Sequence, residues 1–171
     1  MQPPESATPP KWASDYFHDA PAGQMGRGLV GHVPIVATLL IIQGFLEMAL
    51  ALFCLGFALL TTVLPAEAFG GMHPRVMAVL MGVIGATGLV CGSLRIAAGV
   101  FNWSYRRRTL GMIALGVGLA AVFTGYCAPT AIGLAIYGLI VYVNESVAAA
   151  FELGKQGRTK GEIQAAFPAD M

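Results

Sequence analysis

The chain has 171 residues, of which 56% are hydrophobic and only 11% are charged. An average soluble domain carries about 25% charged residues, so this composition indicates a membrane protein rather than a soluble domain. The net charge of +1 excludes the strongly basic balance that would attract nucleic acid. We therefore expect an all-α, polytopic membrane protein with no nucleic-acid partner.

The first segment, residues 1–32, differs from the rest of the chain because its start is rich in proline and an aromatic group follows. The letters KWASDYFHD place Trp12 and Tyr16 on one helical face, with Phe17 beside them. This pattern favours a tail that docks a partner or lies on the membrane surface, and a poorly ordered tail is the alternative. The three aromatic residues are therefore our candidates for partner docking.

Four apolar stretches follow, and each is long enough to cross a hydrocarbon core of about 30 Å, which takes about 20 helical residues. They run from about 33 to 64, 76 to 101, 109 to 128 and 129 to 150. The connections between them are short, which favours antiparallel neighbours. Residues 33–151 are therefore predicted to form an up-down bundle of four transmembrane helices.

The positions of lysine and arginine predict the orientation of this bundle. The side that holds both termini and the loop between the second and third spans carries Lys11, Arg27, Arg106, Arg107, Arg108, Lys155, Arg158 and Lys160. The other side carries Arg75 alone. We therefore expect a multi-pass protein of the inner (cytoplasmic) membrane, with both tails in the cytoplasm.

The loop after the second span predicts an anchor at the membrane surface. Trp103 and Tyr105 occupy the position of an interfacial aromatic belt, and Arg106, Arg107 and Arg108 follow them. These residues are also candidates for contact with anionic lipid headgroups, although three charges are fewer than the roughly four to eight typical of such sites.

The C-terminal tail, residues 152–171, contains the letters TKGE. A threonine followed three residues later by a glutamate fits a capping box, in which each side chain bonds the other residue's backbone N–H. This motif predicts a short helix at the end of the chain.

Polar residues interrupt the apolar spans at Gln43, Glu47, Arg95, Asn144 and Glu145. Counting the helical rise from the cytoplasmic boundary places Gln43 and Arg95 roughly 10 Å inside and Glu47 roughly 16 Å inside. Asn144 and Glu145 fall about 7 Å from the same boundary. We expect one polar layer, in which Arg95 reaches Glu47 or Glu145 while Gln43 and Asn144 complete the hydrogen bonds.

The faces of the first two spans support this layer. The second span has small residues and Arg95 at spacings of three and four, namely Gly85, Gly88, Gly92, Arg95 and Gly99, with Gly88 and Gly92 forming a GxxxG. The first span has Gln43, Glu47, Ala51, Cys54 and Ala58 on one face. Small residues let membrane helices approach closely, so we expect these two faces to meet.

Two interpretations of the polar layer remain open. In the structural one, an interhelical ion pair and its hydrogen bonds fix the packing and register of the helices. In the functional one, Glu47 is a proton or substrate site, which is the usual hypothesis for an ionisable group inside a membrane. The opposite charge offered by Arg95 favours the structural interpretation, and contact with a lipid headgroup or a partner is a third.

The sequence contains no Walker motif, GxSxG, HExxH or paired cysteines, and no histidine lies well inside a predicted span. We therefore expect no catalytic residue, no metal and no cofactor. The function that fits best is a non-catalytic accessory, assembly or scaffold subunit of a membrane complex or homo-oligomer. The alternative is a small proton-coupled transporter or oligomeric channel that uses Glu47. An enzyme acting on lipid or quinone would need more polar groups than the spans contain.

Four spans with a glutamate in the first resemble the small multidrug-resistance transporters. This resemblance implies that Glu47 exchanges protons for a cationic substrate. It covers the number of spans and Glu47 alone. Those transporters have short tails, whereas residues 1–32 precede the first span here, and Arg95 would neutralise the site that a cationic substrate needs.

Overall fold

The computed structural model of the chain describes residues 24–64, 73–121 and 128–167. Within these ranges the chain forms a 3-10 helical segment, Gln24–His32, and six α-helices. The helices are α1 (Val33–Leu60), α2 (Pro74–Trp103), α3 (Arg108–Ala121), α4 (Ala128–Val143), α5 (Glu145–Lys155) and α6 (Lys160–Ala166). No β-strand occurs in the described ranges, which confirms the predicted all-α class there.

Two helices are long and apolar enough to cross a membrane. One is α1 with the end of the 3-10 segment, 33 residues over Gly28–Leu60, and the other is α2, with 30 residues. The α3 helix is apolar but spans only about 21 Å over its described residues, and the predicted third span continues into residues 122–127, which lie outside them. α4 and α5 qualify as a span only if taken together. The described residues thus contain two or three candidate spans.

The predicted fourth span is not one continuous helix. Asn144 has an extended backbone, and its side-chain oxygen accepts hydrogen bonds from the backbone N–H groups of Ser146 and Val147. This is the geometry of an N-cap, with which asparagine starts a new helix instead of continuing the old one. α5 consequently leaves α4 at an angle of 74°.

α1 and α2 pack against each other as an antiparallel pair along most of their length. Both begin at a proline in the first turn, where the missing N–H costs no hydrogen bond. Gly99 faces Ala37, Gly92 faces Gly44 and Gly85 faces Ala51. Successive contacts are two helical turns apart on both helices, so the register is constant along the pair.

The outer surface of this pair is as apolar as its interface. Large apolar side chains that point away from the pair include Phe45, Phe53, Leu59, Val79, Val83 and Val90. A helix that is apolar all round is typical of a bilayer, where lipid chains cover the outer face. The α1–α2 pair therefore has the surface of a membrane-spanning hairpin.

A second core lies at the basal end, which we define as the end where α1 begins and α2 ends. Its centre, the basal cluster, consists of Val30, Tyr105, Tyr142, Phe151 and Ile163, all of which are fully buried. The bend at Asn144 lays α5 against the 3-10 segment, and this contact brings Phe151 into the cluster. α6 adds Ile163, and the predicted capping box of Thr159 and Glu162 is confirmed at its start.

Candidate functional site

The candidate site is centred on Glu47, which lies at the midpoint of α1, about 20 Å from either end. On the same face Gly44 and Ala51 lie three residues before it and four after it. Their small side chains let the backbone of α2 come close, with Gly92 opposite Gly44 and Gly88 opposite Ala51. Because the two backbones lie so close together, Glu47 is buried between the helices, and its side chain is only 3% exposed.

Arg95 from α2 supplies the opposite charge. Its Nη1 atom lies 2.5 Å from Oε1 of Glu47, and its side chain is 2% exposed. The sequence left two possible partners for Arg95, namely Glu47 and Glu145. In the structure the partner is Glu47. An unpaired charge near the centre of a membrane helix costs at least about 2.5–3.5 kcal/mol, so the pairing stabilises both residues.

A third helix closes the site, which the sequence did not predict. Gly118 of α3 is buried against the guanidinium group, and a Cβ atom added there would collide with Nη2 of Arg95. The letters GVGLAAVFTG predict helix packing in general, because glycines recur in an apolar stretch. They do not indicate which neighbour each glycine faces, since that depends on the rotation of α3.

The ion pair leaves hydrogen-bonding capacity unused. Several polar atoms are buried without a well-aligned hydrogen bond from the described residues, although Gln43 interacts with the carboxylate of Glu47; they are Oε1 and Oε2 of Glu47, Nε and Nη1 of Arg95 and Nε2 of Gln43. Buried polar atoms without partners cost free energy, so this cluster can accept or donate further hydrogen bonds.

A groove on the outer surface leads towards this cluster. It has a volume of about 380 Å³, lies between α1 and α4, and is lined by Leu39, Ile42, Gln43, Leu46, Thr130, Gly133, Leu134 and Tyr137. Most of these side chains are apolar. Gln43 is the exception in α1, and it lies one turn from Glu47 on the same face, so the groove reaches the polar cluster at Gln43.

Two residues of the predicted polar layer lie elsewhere. Asn144 caps α5, as described above, and its side-chain oxygen is used by the backbone of that helix. Glu145 is the first residue of α5 and is exposed. Both positions follow from the helix break, since the depth predicted for them assumed that the fourth span continues through residue 150.

The loop after α2 also differs from its prediction. Tyr105 was expected to anchor the chain in lipid headgroups, but it is fully buried, and its hydroxyl donates to the backbone oxygen of Val30 over 2.8 Å. Burial raises the pKa of this hydroxyl. Tyr105 has a φ of 53°, a left-handed turn that directs its ring inward. Trp103 remains 43% exposed, with Nζ of Lys160 4.1 Å from its ring centroid.

A second buried polar group lies at the basal end and was not predicted. Asn102 donates from Nδ2 to the hydroxyl of Tyr142 over 2.9 Å, and both side chains are fully buried. Arg108 donates from Nε to the backbone oxygen of Tyr142 over 2.7 Å. Gly111 provides the space, since a Cβ atom there would collide with Asn102. These bonds tie α4 to the end of α2 and the start of α3.

The docking candidates Trp12, Tyr16 and Phe17 lie outside the described residues. Among the residues that the structure describes, no group of three or more histidine, cysteine or acidic side chains could hold a metal ion. Comparisons of the chain with protein-family models, with curated proteins and with solved structures each gave no match. The chemistry of the buried cluster and the surfaces around it are therefore the guides to function.

Proposed function

We propose that this chain is a non-catalytic subunit of a membrane assembly, in which it serves as an accessory, assembly or scaffold protein. Its partners are other membrane proteins or further copies of the chain. We also propose four spans in an up-down arrangement, with both tails in the cytoplasm of a bacterial cell. The supporting observations concern the charge at Glu47, the outer surface of the helices and the distribution of basic residues.

The observation that carries the proposal is the neutralisation of Glu47 by Arg95 within the chain. A carboxylate that exchanges protons for a cationic substrate must be available to that substrate. Here Arg95 of α2 supplies a permanent cation beside Glu47, and Gly118 of α3 covers the other side of its guanidinium group. This arrangement supports an ion pair that fixes the register of three helices, which a scaffold needs and a cation transporter does not.

The apolar outer surface offers room for partners. Phe53 of α1 is 69% exposed, and it belongs to a continuous apolar surface of the α1–α2 pair. Lipid alone can cover such a surface, but a membrane partner can replace lipid at little cost, because neither side has to lose water. Whether lipid or a partner covers this surface then depends on how well the partner packs against it.

The charge distribution supports the proposed orientation. The basal end carries Arg106, Arg107, Arg108 and Lys155, whereas the opposite end of the α1–α2 pair carries Arg75. Cytoplasmic segments next to spans are enriched in lysine and arginine. The basal cluster and α6 are accordingly assigned to the cytoplasmic side.

The first experiment is to extract the full chain from its native membrane with a mild detergent and measure the mass and composition of the particle. A particle that contains other proteins in fixed proportion supports the accessory role. A small symmetric oligomer of this chain alone would count against the accessory role and would make proton-coupled transport through Glu47 the next hypothesis to test. A monomer without companions would overturn the proposal.

Photo-cross-linking can identify the contacting face. A photoreactive residue at Phe53 should cross-link to a partner in intact membranes, because this side chain points away from the pair. The same residue at Val90, an exposed position on α2, serves as the control and should give fewer partner adducts if the partner lies on the α1 side. Equal yields of partner adducts at both positions would contradict a partner on this face. Deletion of residues 1–25 tests whether the aromatic tail docks the same partner.

A second candidate function is proton-coupled transport, and one observation favours it. The polar atoms of Gln43, Glu47 and Arg95 keep unused hydrogen-bonding capacity, and a groove from the outer surface ends beside Gln43. In a transporter, Glu47→Gln should abolish flux in proteoliposomes while leaving the fold nearly intact. In the scaffold it should destabilise the fold, so a stable but inactive variant would favour transport.

A further inference from the structure

An open groove of about 510 Å³ lies at the basal end, where the loop after α2, the start of α3 and the end of α5 meet. Its lining has basic and apolar parts. The polar part consists of Arg106, Arg107, Arg108, Thr109, Glu152 and Lys155, and the apolar part of Leu110, Met112 and Ile113. The groove is separate from the buried ion pair and from the groove beside Gln43.

The fold adds a fourth cation to the three arginines. The bend at Asn144 directs α5 back under the bundle, and Gly154 lies in direct contact with the backbone oxygen of Tyr105. This contact places Lys155, the next residue, beside the arginine loop. Four cations reach the lower limit of about four to eight that is typical of sites for acidic lipid headgroups.

Several of these charges are held in place. Arg108 is fixed by its bond to Tyr142, and the guanidinium of Arg107 lies 4.9 Å from the ring centroid of Phe101. Glu152 pairs with Lys155 over 2.6 Å and opposes an anion in the same groove. Four cations and this one carboxylate leave a net charge of +3 on the lining.

The apolar part follows the direction of α3. Ile113 is half-exposed and lies about 7.5 Å beyond Arg108 along the helix, with Leu110 and Met112 between them. A ligand in the groove would thus meet guanidinium groups at one end and aliphatic side chains at the other. A free phosphate ion or an acidic peptide would make no use of the apolar wall.

We propose that this groove binds one anionic phospholipid of the leaflet at the basal end, with its phosphate on the arginines and an acyl chain along α3. Guanidinium groups suit this role because they present paired N–H donors to phosphate oxygens. The inference requires that the chain lies in a membrane, but not that it has a protein partner. A failure here would leave the accessory role unaffected.

The test uses the full chain purified in detergent, depleted of lipid and titrated with phosphatidylglycerol or phosphatidylcholine while bound lipid is counted by native mass spectrometry. We expect one phosphatidylglycerol to bind at least tenfold more tightly than phosphatidylcholine. Each arginine near a charged lipid surface contributes about fivefold, so Arg106→Gln with Arg107→Gln should weaken phosphatidylglycerol by roughly 25-fold. Both side chains are exposed, so the helical content should not change, and circular dichroism checks this.

Two further variants make the test specific. Arg75→Gln removes an exposed arginine at the opposite end of α2 and should leave the affinity unchanged. Glu152→Gln removes the opposing carboxylate and should tighten phosphatidylglycerol severalfold. Equal binding of the two lipids, or an equal loss in Arg75→Gln and in the double variant, would overturn the proposal. So would displacement of the bound lipid by millimolar inorganic phosphate, which would indicate a phosphate site.

Discussion

The α1–α2 pair and the basal end achieve close packing in opposite ways. In the pair the contacts are made by the smallest residues, and Gly44 and Gly92 bring one backbone against the other while large side chains point outward. At the basal end the contacts are made by large rings. Tyr105 and Tyr142 each meet Phe151 edge to face, with ring centroids 5.7 and 5.9 Å apart.

The proposed positions of the two regions, the pair in lipid and the basal end next to water, account for this difference. In lipid an apolar side chain gains little by turning inward, so helices associate through close van der Waals contact and polar groups. Next to water the burial of an aromatic ring is strongly favourable, and large side chains turn inward. In the proposed orientation, one chain therefore shows both kinds of packing.

The largest expected effect tests the polar contact of the pair. Arg95→Met removes the cation and leaves the carboxylate of Glu47 buried without an opposite charge. Removal of one partner from a buried ion pair costs about 3–5 kcal/mol, and we expect a loss of stability of that size. The measurement is unfolding of the purified protein in mixed detergent, followed by circular dichroism.

A double-mutant cycle and a matched pair at the surface sharpen this prediction. Glu47→Gln together with Arg95→Met should cost less than the sum of the single changes, because neither charge is then left alone. Additive losses would show that the two residues do not stabilise each other. Glu152 and Lys155 form the control pair, and since it is exposed, Lys155→Met should cost only about 0–1 kcal/mol.

The next largest effect tests the glycine contact. A Cβ atom on Gly92 would lie 2.8 Å from the backbone oxygen of Gly44, so Gly92→Leu must push the two helices apart. We expect a loss of about 1–3 kcal/mol or more, measured by the same unfolding experiment.

Gly82 is the matched control on the same helix, because no atom lies within 4 Å of a Cβ added there. Gly82→Leu should leave the stability unchanged or raise it slightly, as glycine is a poor helix former. Equal losses in the two variants would mean that the cost comes from the helix itself and not from its contact with α1.

Much of the pair was predictable from the sequence, because helical spacing depends only on residue number. The spacing of Gly85, Gly88, Gly92 and Arg95 identified the face of α2, and it is this face that meets Glu47 in the structure. The capping box before α6 was predictable for the same reason, since its two residues lie within one turn.

The basal end was less predictable because its contacts join residues that are distant along the chain. The left-handed turn at Tyr105 and the cap at Asn144 are single-residue events within otherwise ordinary patterns. An asparagine in an apolar stretch can face another helix or start a new one, and composition does not decide between them. The packing of α5 on the 3-10 segment decides it here.

A smaller effect tests the hydrogen bonds of the basal end. Tyr142→Phe keeps the ring that packs on Phe151 but removes the hydroxyl that accepts from Asn102. Because Asn102 is fully buried, its amide loses its partner, and we expect a cost of about 1–3 kcal/mol.

Tyr137→Phe is the comparison, since its hydroxyl lies 2.6 Å from Nδ1 of His32 at a site that is only partly buried. It should cost less than Tyr142→Phe. If the two changes cost the same, the buried amide of Asn102 must find another partner, and the basal end would be more adaptable than its close packing indicates.

The smallest effect separates the two regions most clearly. Thr159→Ala removes the side chain that accepts from the N–H of Glu162, and loss of such a cap costs about 1 kcal/mol. Since α6 has only seven residues, this loss should open α6 locally and speed amide hydrogen exchange in residues 160–166. Exchange in α1 and α2 should stay unchanged, because neither depends on the cap.

Thr62→Ala, which removes an exposed hydroxyl bonded to its own helix end, is the control. Unchanged exchange in α6 would show that Ile163, packed in the basal cluster, holds this helix without its cap.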